Sequence, residues 1–422
     1  MRLCVFQFFL FSVLCMTNTT VQAQISLDSC QAKAKRNYPL IQQYGLIEQT
    51  EAFTISNANK SFLPQLGVQV IGGVVDGFPS FEQPGSSGSG SEWQLISVIQ
   101  LTQAIWDGGV TKAKKEIARS NAEVDQAEIE VALYQLRSRV DQLFFGVLLL
   151  DSQIEQAKLF LSNLDRQGQK IEMAVENGIA FKTDLDEIRV SMLNTEEQIS
   201  ELNYNKKAYL KVLSVMIGEQ LEDDTELLRP PLELIPAERS IGRPELMVYD
   251  QQKAMIDAQT RLNKTSLYPK VGLLGFGTFL YPGVDFGASE LDRIIIGGLS
   301  VSWNIGGLYR NSNNKKLSEI GKMRIENQEE TFLFNTNLLL DQNQVELEKY
   351  QQSIVNSQEI LQIKKKIKKA YEVKYDNGVC TMNELLDKSN EANLAAQKLI
   401  LQEIQYLQKV YQYKFQSGRS FD

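Results

Sequence analysis

Apolar residues recur every seven positions along residues 110–177, a stretch that contains no proline. One row consists of Leu136, Leu143, Leu150, Ala157, Leu164 and Ile171, and the other of Val140, Val147, Ile154, Leu161, Gly168 and Val175. The rows lie alternately four and three residues apart, which is typical of a coiled-coil seam. The pattern predicts one helix about 100 Å long that supercoils against other long helices.

The chain is predicted to reverse direction directly after this helix. Asn177 and Gly178 form an Asn-Gly pair, and these residue types readily adopt the left-handed conformation that a tight turn requires. A returning helix is predicted over 182–217, with Gly218 as its C-terminal cap. The two helices together predict an antiparallel helical hairpin.

The residues before the long helix predict a shorter helix and a β-hairpin. Residues 28–60 have a helical pattern, and residues 65–75 and 93–105 are rich in Val, Ile and Leu. Gly, Pro and Ser crowd the segment 78–91 between the two strands, which predicts a hairpin with a long polar tip. Strands of about ten residues are long enough to cross a bilayer when tilted.

The same order of elements recurs about 200 residues later. Residues 61–67 recur as 266–272, Gly108-Gly109 as Gly306-Gly307, and Asn177-Gly178 as Asn377-Gly378. Ordered self-similarity at a nearly constant offset indicates an internal repeat. In the second copy, Leu340, Leu347, Ile354 and Leu361 again lie seven residues apart.

The duplication predicts the organisation of the whole chain. Residues 1–23, with Arg2, an apolar run and the exit Val21-Gln22-Ala23, are predicted to be a cleaved signal peptide. The remaining segments are a first repeat at 24–218 (hairpin 65–105, long helix 110–177, returning helix 182–217), a connecting segment at 219–243, a second repeat at 244–418 (hairpin 270–304, long helix 309–375, returning helix 382–416) and a tail at 419–422.

Composition excludes several classes of function. The formal net charge of −8 and the lack of a basic domain argue against nucleic acid as a partner. The sequence contains no histidine, so no Ser/His/Asp or Cys/His triad can be built. No metal or cofactor constellation is present either, and we expect a protein that is not an enzyme.

Four strands per chain are too few to close a barrel, so the chain is predicted to oligomerise. A trimer supplies 12 strands and a dimer only eight; the sequence favours three without excluding another number. The predicted fold class is mainly α, with long antiparallel coiled-coil helices in an α-barrel and a small 12-stranded membrane β-barrel. Residues expected to face lipid or its interface are Gly72, Leu274, Phe276 and Trp303.

This doubled order of helix, Ser-x-x-Pro-x-[Leu/Val]-Gly strand, hairpin, Gly-Gly, long helix, Asn-Gly turn and returning helix resembles the TolC-like outer-membrane efflux proteins, the outer membrane factor family. The resemblance covers essentially the whole chain after residue 23. It implies a homotrimeric channel-tunnel in outer-membrane lipid with a long periplasmic portion. Such a duct serves a tripartite efflux or type I secretion system, meets a periplasmic adaptor and an inner-membrane pump, and exports toxic compounds or peptides.

The resemblance also implies roles for the two turns. In similar proteins the Gly-centred turn meets the adaptor's hairpin, and the corresponding residues here are Asn177, Gly178, Ile179, Ala180, Asn377, Gly378, Val379 and Cys380. The alternative is that each Asn-Gly pair merely lets the chain reverse.

Acidic pairs follow each turn, Asp184 with Glu187 and Glu384 with Asp387. Each pair lies on one helical face, and in a trimer each position becomes a ring of three carboxylates that favours cations. The family's gate pair matches Glu384 and Asp387, and Tyr375 also matches its pattern, whereas Cys380 replaces the family's arginine. The alternative is that these acids complement the helix dipole. A lysine run before the second turn is expected to form a solvated or adaptor-facing surface, with pairing of Lys366 and Lys369 to acids near Glu391 as the alternative; the run consists of Lys364, Lys365, Lys366, Lys368 and Lys369.

Two other classes of protein remain open at this stage. The first is a secreted structural coiled-coil protein without a pore, and the second is a periplasmic adaptor. An adaptor needs a lipoyl-like or β-barrel domain beside one helical hairpin, which the duplicated strand hairpins disfavour.

Overall fold

The computed structural model describes residues 25–75, 92–231, 240–281 and 292–418. The predicted signal peptide at 1–23, the predicted hairpin tip at 78–91 and the tail at 419–422 lie outside these residues, as does part of the predicted connecting segment.

Seven α-helices and four strands make up the described chain. In order, they are α1 (Leu27–Asn37), α2 (Gln43–Asn59), β1 (Gln65–Val75), β2 (Glu92–Trp106), α3 (Val110–Glu176), α4 (Lys182–Ile217), α5 (Pro244–Thr265), β3 (Lys270–Tyr281), β4 (Asp292–Ser302), α6 (Gly307–Asp376) and α7 (Met382–Ser417). The predicted fold class, mainly α with long helices and two β-hairpins, is confirmed.

The helix predicted over 28–60 is interrupted. Helix α1 ends at Asn37, and a short 3-10 turn at Pro39–Gln42 separates it from α2. Proline lacks the N–H that a helix interior needs, and it disfavours helical geometry in the residue before it. Tyr38 accordingly has an extended backbone (φ −69°, ψ 127°). Pro39 therefore separates α1 from α2, which the helical pattern of residues 28–60 did not predict.

The four strands form one antiparallel sheet in the order β1-β2-β3-β4. Successive side chains of a strand point to opposite faces, so directly paired residues share a face. Gly72 pairs with Leu95, whereas Phe276 pairs with Gln100 and Leu274 with Thr102. Because Leu95 and Gln100 are five residues apart on β2, Gly72 and Phe276 lie on opposite faces. Gly72 therefore does not share a lipid-facing side of the sheet with Leu274 and Phe276, contrary to the expectation that all three fit lipid or interface positions.

The chain divides into two compact units. Unit 1 comprises Met1–Ile41, Ala132–Arg243 and Phe334–Asp422, and unit 2 comprises Gln42–Val131 and Pro244–Leu333. Each unit draws segments from both halves of the sequence, and the sheet lies in unit 2. The hydrophobic core of unit 1 contains large, fully buried side chains from α3, α4 and α7, among them Phe144, Phe145, Leu213, Leu407 and Val410.

Within unit 2, the short helices pack along the long ones. Tyr44 of α2 donates a hydrogen bond to Glu130 of α3 (2.6 Å), and Lys253 of α5 pairs with Glu329 of α6 (3.0 Å). Across the described residues, no helix combines the length and apolar character that crossing a membrane requires.

Candidate functional site at two helical turns

The two turns of unit 1 share one backbone geometry. Gly178 and Gly378 have φ angles of +70° and +71°, the left-handed region that favours glycine. After α3, Gly178 N–H donates to the Val175 carbonyl (3.0 Å) and Ile179 N–H to the Ala174 carbonyl (2.8 Å). After α6, the residues exactly 200 positions later form the same two bonds, at 2.9 and 2.8 Å. Both helices therefore end in a Schellman motif.

The asparagine before each glycine completes the helix end. The Nδ2 group of Asn177 donates to the Met173 carbonyl, and that of Asn377 donates to the Val373 carbonyl, both at 2.7 Å. A side chain built on either glycine would meet no atom within 4 Å. The glycines are thus required by the backbone angle and not by lack of space.

The turns present apolar side chains to solvent. Ile179 is 81% exposed and Val379 is 71% exposed, whereas Ala180 and Cys380 are half-buried. Three residues after Gly178, Phe181 is 78% exposed, a position that the sequence analysis did not single out. Burying apolar surface releases about 25 cal/mol per Å², so these residues favour contact with another apolar surface.

The thiol of Cys380 contacts its own chain. Its Sγ atom donates to the Tyr371 carbonyl at 3.6 Å. Burial raises the pKa of this thiol, and the nearby Glu384 carboxylate acts in the same direction. Cys380 is therefore held as a neutral thiol and supplies none of the positive charge of the arginine that it replaces.

Helix α7 begins with a complete capping box. Glu384 N–H donates to the Thr381 hydroxyl (3.3 Å), and Thr381 N–H donates to the Glu384 carboxylate (2.8 Å). The hydrogen bonds from Thr381 lower the pKa of Glu384. Glu384 thus has a structural role at the start of α7 in its own chain.

Helix α4 begins differently. Phe181 occupies its N-cap position and offers no side-chain acceptor, although its N–H donates to the Asp184 carboxylate (3.2 Å). Ser, Thr, Asp and Asn are the residues that cap helices well. The N-cap residue of α4 is therefore both poorly suited to capping and exposed.

Tyr375 and Asp184 come together although they lie almost 200 residues apart. The Asp184 carboxylate lies near the Tyr375 hydroxyl, and burial together with the charge of that carboxylate raises the pKa of Tyr375 to about 12. This contact joins the last turn of α6 to the first turn of α4. Two of the predicted gate residues are thereby adjacent.

The other two predicted gate acids occupy different environments. Asp387 is exposed, whereas Glu187 is half-buried and its Oε2 atom is buried without a hydrogen-bond partner. Beneath the turns lies a small apolar cluster from three helices, α3, α4 and α7, which fixes these positions; it consists of Phe160, Leu164, Ile171, Ile188, Met382, Leu385 and Leu386.

The lysine pairing near Glu391 differs from the expectation. Lys364 of α6 and Lys388 of α7 both contact the Glu391 carboxylate, the latter at 2.7 Å. The alternative named Lys366 and Lys369 as the pairing lysines, but residue 364 lies on the α6 seam and residues 366 and 369 are exposed. Lys364 reaches the neighbouring helix because it occupies a seam position of the heptad repeat; membership in the lysine run alone does not predict which lysine does so.

Among the described residues, no cluster of three or more Cys, Asp or Glu side chains is suited to a metal ion.

A known protein family matches much of the first half of the chain. Residues 33–219 match the family model of the outer membrane efflux protein. No curated protein sequence matches the chain.

Solved structures share the fold at low sequence identity. The outer membrane protein VceC of Vibrio cholerae is 13% identical, with a TM-score of 0.63 over 94% of this chain and 97% of that one. The CmeC outer membrane channel of Campylobacter jejuni is 15% identical, with a TM-score of 0.62 over 93% and 85%. The MtrE outer membrane channel of Neisseria gonorrhoeae, in its open state, is 13% identical, with a TM-score of 0.62 over 93% and 88%.

The family model supplies the sequence evidence and the solved structures supply the fold over almost the whole chain. The resemblance to the TolC-like outer-membrane efflux proteins is therefore confirmed as a resemblance: residues 33–219 match that family's model, and almost the whole chain shares the fold of solved outer-membrane channels.

Proposed function

We propose that three copies of this chain form a passive exit duct across the outer membrane, as part of a tripartite efflux or type I secretion system. The observation that carries this proposal is the open sheet. Strands β1 and β4 are its two edges, and they run antiparallel to each other in the order β1-β2-β3-β4. The β4 edge of one copy can therefore pair with the β1 edge of the next in the same antiparallel pattern.

The two faces of the sheet differ as a lipid face and a lumen face require. By the pairing register, one face carries mainly apolar residues, among them Leu66, Val68, Val70, Val74, Trp93, Leu95, Ile99, Leu101, Leu273, Phe279, Ile295 and Leu299. The other face mixes polar residues such as Gln69, Gln100 and Thr278 with Phe276 and Ile296. Alternation of this kind is typical of strands in a transmembrane barrel, and 12 strands suffice for a lumen.

The periplasmic gate in this proposal consists of Asp184, Glu187, Glu384, Asp387 and Tyr375. The proximity of Tyr375 and Asp184 supports it, since opening by movement of α6 and α7 against α4 would separate these two side chains. In a trimer the Glu384 and Asp387 carboxylates form two rings that favour cations over anions. Glu384 keeps its capping role as well, because its carboxylate remains exposed.

The two turns are the proposed docking site for a periplasmic adaptor, which connects the duct to an inner-membrane pump. Exposure of Ile179, Val379 and Phe181 supports this assignment, because a turn that serves only to reverse the chain needs no exposed aliphatic side chain. The exported molecules are toxic compounds or secreted peptides, and the pump selects them.

The division into repeats at 24–218 and 244–418 is also part of the proposal. It is supported by equivalent contacts as well as by the matching turns. Gly218, at the end of α4, lies against the Asn37 side chain, and Gly418, at the end of α7, lies against Gly242. Residues 37 and 242 are 205 positions apart, the offset found in the sequence.

A combined mass and conductance measurement tests the proposal. The full-length protein, purified from outer membranes in detergent, is expected to have the mass of a trimer and to form ion channels in a planar bilayer. The variant Glu384→Gln with Asp387→Asn is expected to keep the trimer and to lose cation selectivity in a salt gradient. A monomer that stays soluble after cell lysis would indicate the structural coiled-coil alternative, and unchanged selectivity would remove these two acids from the gate.

A further inference from the structure

Near the turn, an ionic contact joins helix α7 to helix α6. The Glu391 carboxylate contacts Lys364 on α6 and Lys388 on its own helix, and all three side chains are about one-third exposed. Hydrogen bonds from these two lysines lower the pKa of Glu391 to about 2. The carboxylate therefore stays ionised at every physiological pH, and the three-residue contact persists.

An aromatic ring extends this contact towards the turn. The Lys388 Nζ atom lies 6.0 Å from the centroid of the Tyr371 ring, and Lys374 lies over the same ring at 4.6 Å. Cation–π contacts of this geometry are favourable. Lys388 therefore contacts both a carboxylate on its own helix and a ring on α6.

Glu391 shares a helical face with the two proposed gate acids. Residues 384, 388 and 391 are four and three positions apart, and Asp387 precedes Glu391 by four. Side chains at these spacings lie one above the other on a helix. Any rotation of α7 about its axis that moves Glu391 away from Lys364 therefore redirects Glu384 and Asp387 as well.

The first copy of the repeat uses different chemistry at the same positions. The residues 200 positions before Lys364, Lys388 and Glu391 are Leu164, Ile188 and Ser191. Leu164 and Ile188 are each 1% exposed and belong to the apolar cluster below the turns. A buried apolar contact there holds α3 to α4, whereas an accessible ionic contact holds α6 to α7.

We propose that Glu391 is a positioning residue for the gate: held by Lys364 of α6 and Lys388 of α7, it fixes the rotation of α7 and so sets where the Glu384 and Asp387 carboxylates point. The inference rests on the proposed gate. It adds a residue that lies outside the acidic pairs and contacts neither the turns nor the adaptor surface.

The variant Glu391→Gln, with Glu346→Gln as its matched control, tests the inference in planar bilayers. Glu346 lies on α6, and its carboxylate pairs with Lys409 of α7 at 2.5 Å, but this pair is more than 30 residues from the turn. Loss of the Glu391 pair is expected to raise the time in the conducting state roughly two- to fivefold, the equilibrium effect of one partly exposed ion pair. Cation selectivity should fall with it, while Glu346→Gln should behave as wild type.

A charge reversal separates positioning from a general loss of stability. Glu391→Lys alone brings three lysines together and is expected to have a larger effect than Glu391→Gln. Adding Lys364→Glu restores an α6–α7 pair of opposite polarity and should return selectivity and conducting time towards the wild-type values. Wild-type behaviour of Glu391→Gln, or an equal effect of Glu346→Gln, would overturn the inference.

Hydrogen exchange keeps this test separate from the proposed duct. If the wild-type protein forms no channel, the proposed function fails, and exchange of backbone amides at 382–393 still tests the contact in the purified full-length chain. Faster exchange in Glu391→Gln, restored by the charge reversal, supports the contact; exchange equal to that of wild type overturns it.

Discussion

Helices α3 and α6 have almost the same length, 67 and 70 residues, and occupy equivalent places in the sequence, but their surroundings within unit 1 differ. Helix α3 buries a broad stripe of large apolar residues that includes Phe144, Phe145 and Phe160. Helix α6 buries a narrow seam, in which Leu340, Leu347 and Leu361 alternate with polar residues; these are Thr336, Asn343 and Ser357.

The outer surface of α6 shows the same difference. Phe334, Val345 and Val355 are each more than half exposed in the single chain. An a/d seam covers only one side of a helix, so a helix with apolar residues outside its seam needs a second neighbour. In the proposed trimer that neighbour is another copy. Helix α3 is thus stabilised by its own chain, whereas α6 would depend on assembly in the proposed trimer, and elements with few buried apolar contacts open at lower cost.

The largest expected effect is the difference in stability between removing a buried phenylalanine and removing an exposed one. Phe144→Ala on α3 removes a side chain that is 0% exposed and should destabilise the protein by about 3–5 kcal/mol. Phe334→Ala on α6 removes a side chain that is 64% exposed and should leave the monomer's stability within about 0.5 kcal/mol. Denaturant unfolding of monomeric protein measures both, and mass measurement should show a weaker trimer only for Phe334→Ala. Equal unfolding midpoints would contradict the comparison.

An intermediate effect is expected from pH. Asp141 of α3 is 8% exposed and accepts a hydrogen bond from Gln31 (2.5 Å), and burial raises the pKa of its carboxyl to about 7. The folded state therefore binds this proton more tightly than the unfolded state, in which an aspartate has a pKa of about 3.9. Its stabilising contribution is complete below about pH 4 and falls by at most about 1.4 kcal/mol per pH unit up to pH 7.

Unfolding free energies measured between pH 4 and 8 test this sign. Asp141→Asn should flatten the profile and raise stability above pH 7. Glu391 of α7 has a lowered pKa, so its contribution is lost only below about pH 4, as pH falls towards 2, and Glu391→Gln should leave the slope between pH 4 and 7 unchanged. A wild-type profile that rises with pH across this window would be inconsistent with a buried neutral Asp141.

The smallest expected effect compares the two helix starts beside the turns. Thr381→Ala removes the capping box of α7 and should cost about 0.5–2 kcal/mol. Phe181→Thr supplies the missing cap to α4 and should stabilise it by up to about 1 kcal/mol. Thermal unfolding measures both changes. If Phe181 serves docking, the stabilised variant should also bind its adaptor more weakly, and a destabilised Phe181→Thr would contradict the capping comparison.

The features that the sequence revealed are those that depend on local pattern. Seven-residue spacing predicted long helices, and Asn-Gly pairs predicted two turns whose geometry proves identical. Local rules act within a few residues, so they hold wherever tertiary contacts agree with them.

Features that depend on long-range packing could not be predicted. The burial of Asp141 requires α1 and α7 to cover it, and the contact between Tyr375 and Asp184 joins two distant helix ends. The second Gly-Gly pair was expected to match the first. Of the four glycines, however, only Gly108 and Gly109 adopt positive φ. Gly307 is required for a different reason, since a Cβ atom at this position would lie too close to the Ser266 carbonyl oxygen. Lys364 was expected on a solvated or adaptor-facing surface, because its reach to α7 depends on which face of α6 meets that helix.

The open edges of the sheet have a consequence for biogenesis. Until neighbouring copies arrive, each newly exported chain carries two rows of unpaired peptide groups, β1 and β4, beside an apolar face. Such rows bind any extended polypeptide, so correct association competes with aggregation at every encounter. Yield in overexpression is therefore expected to depend on periplasmic holding chaperones and slow synthesis, more than on the intrinsic stability of the folded subunit.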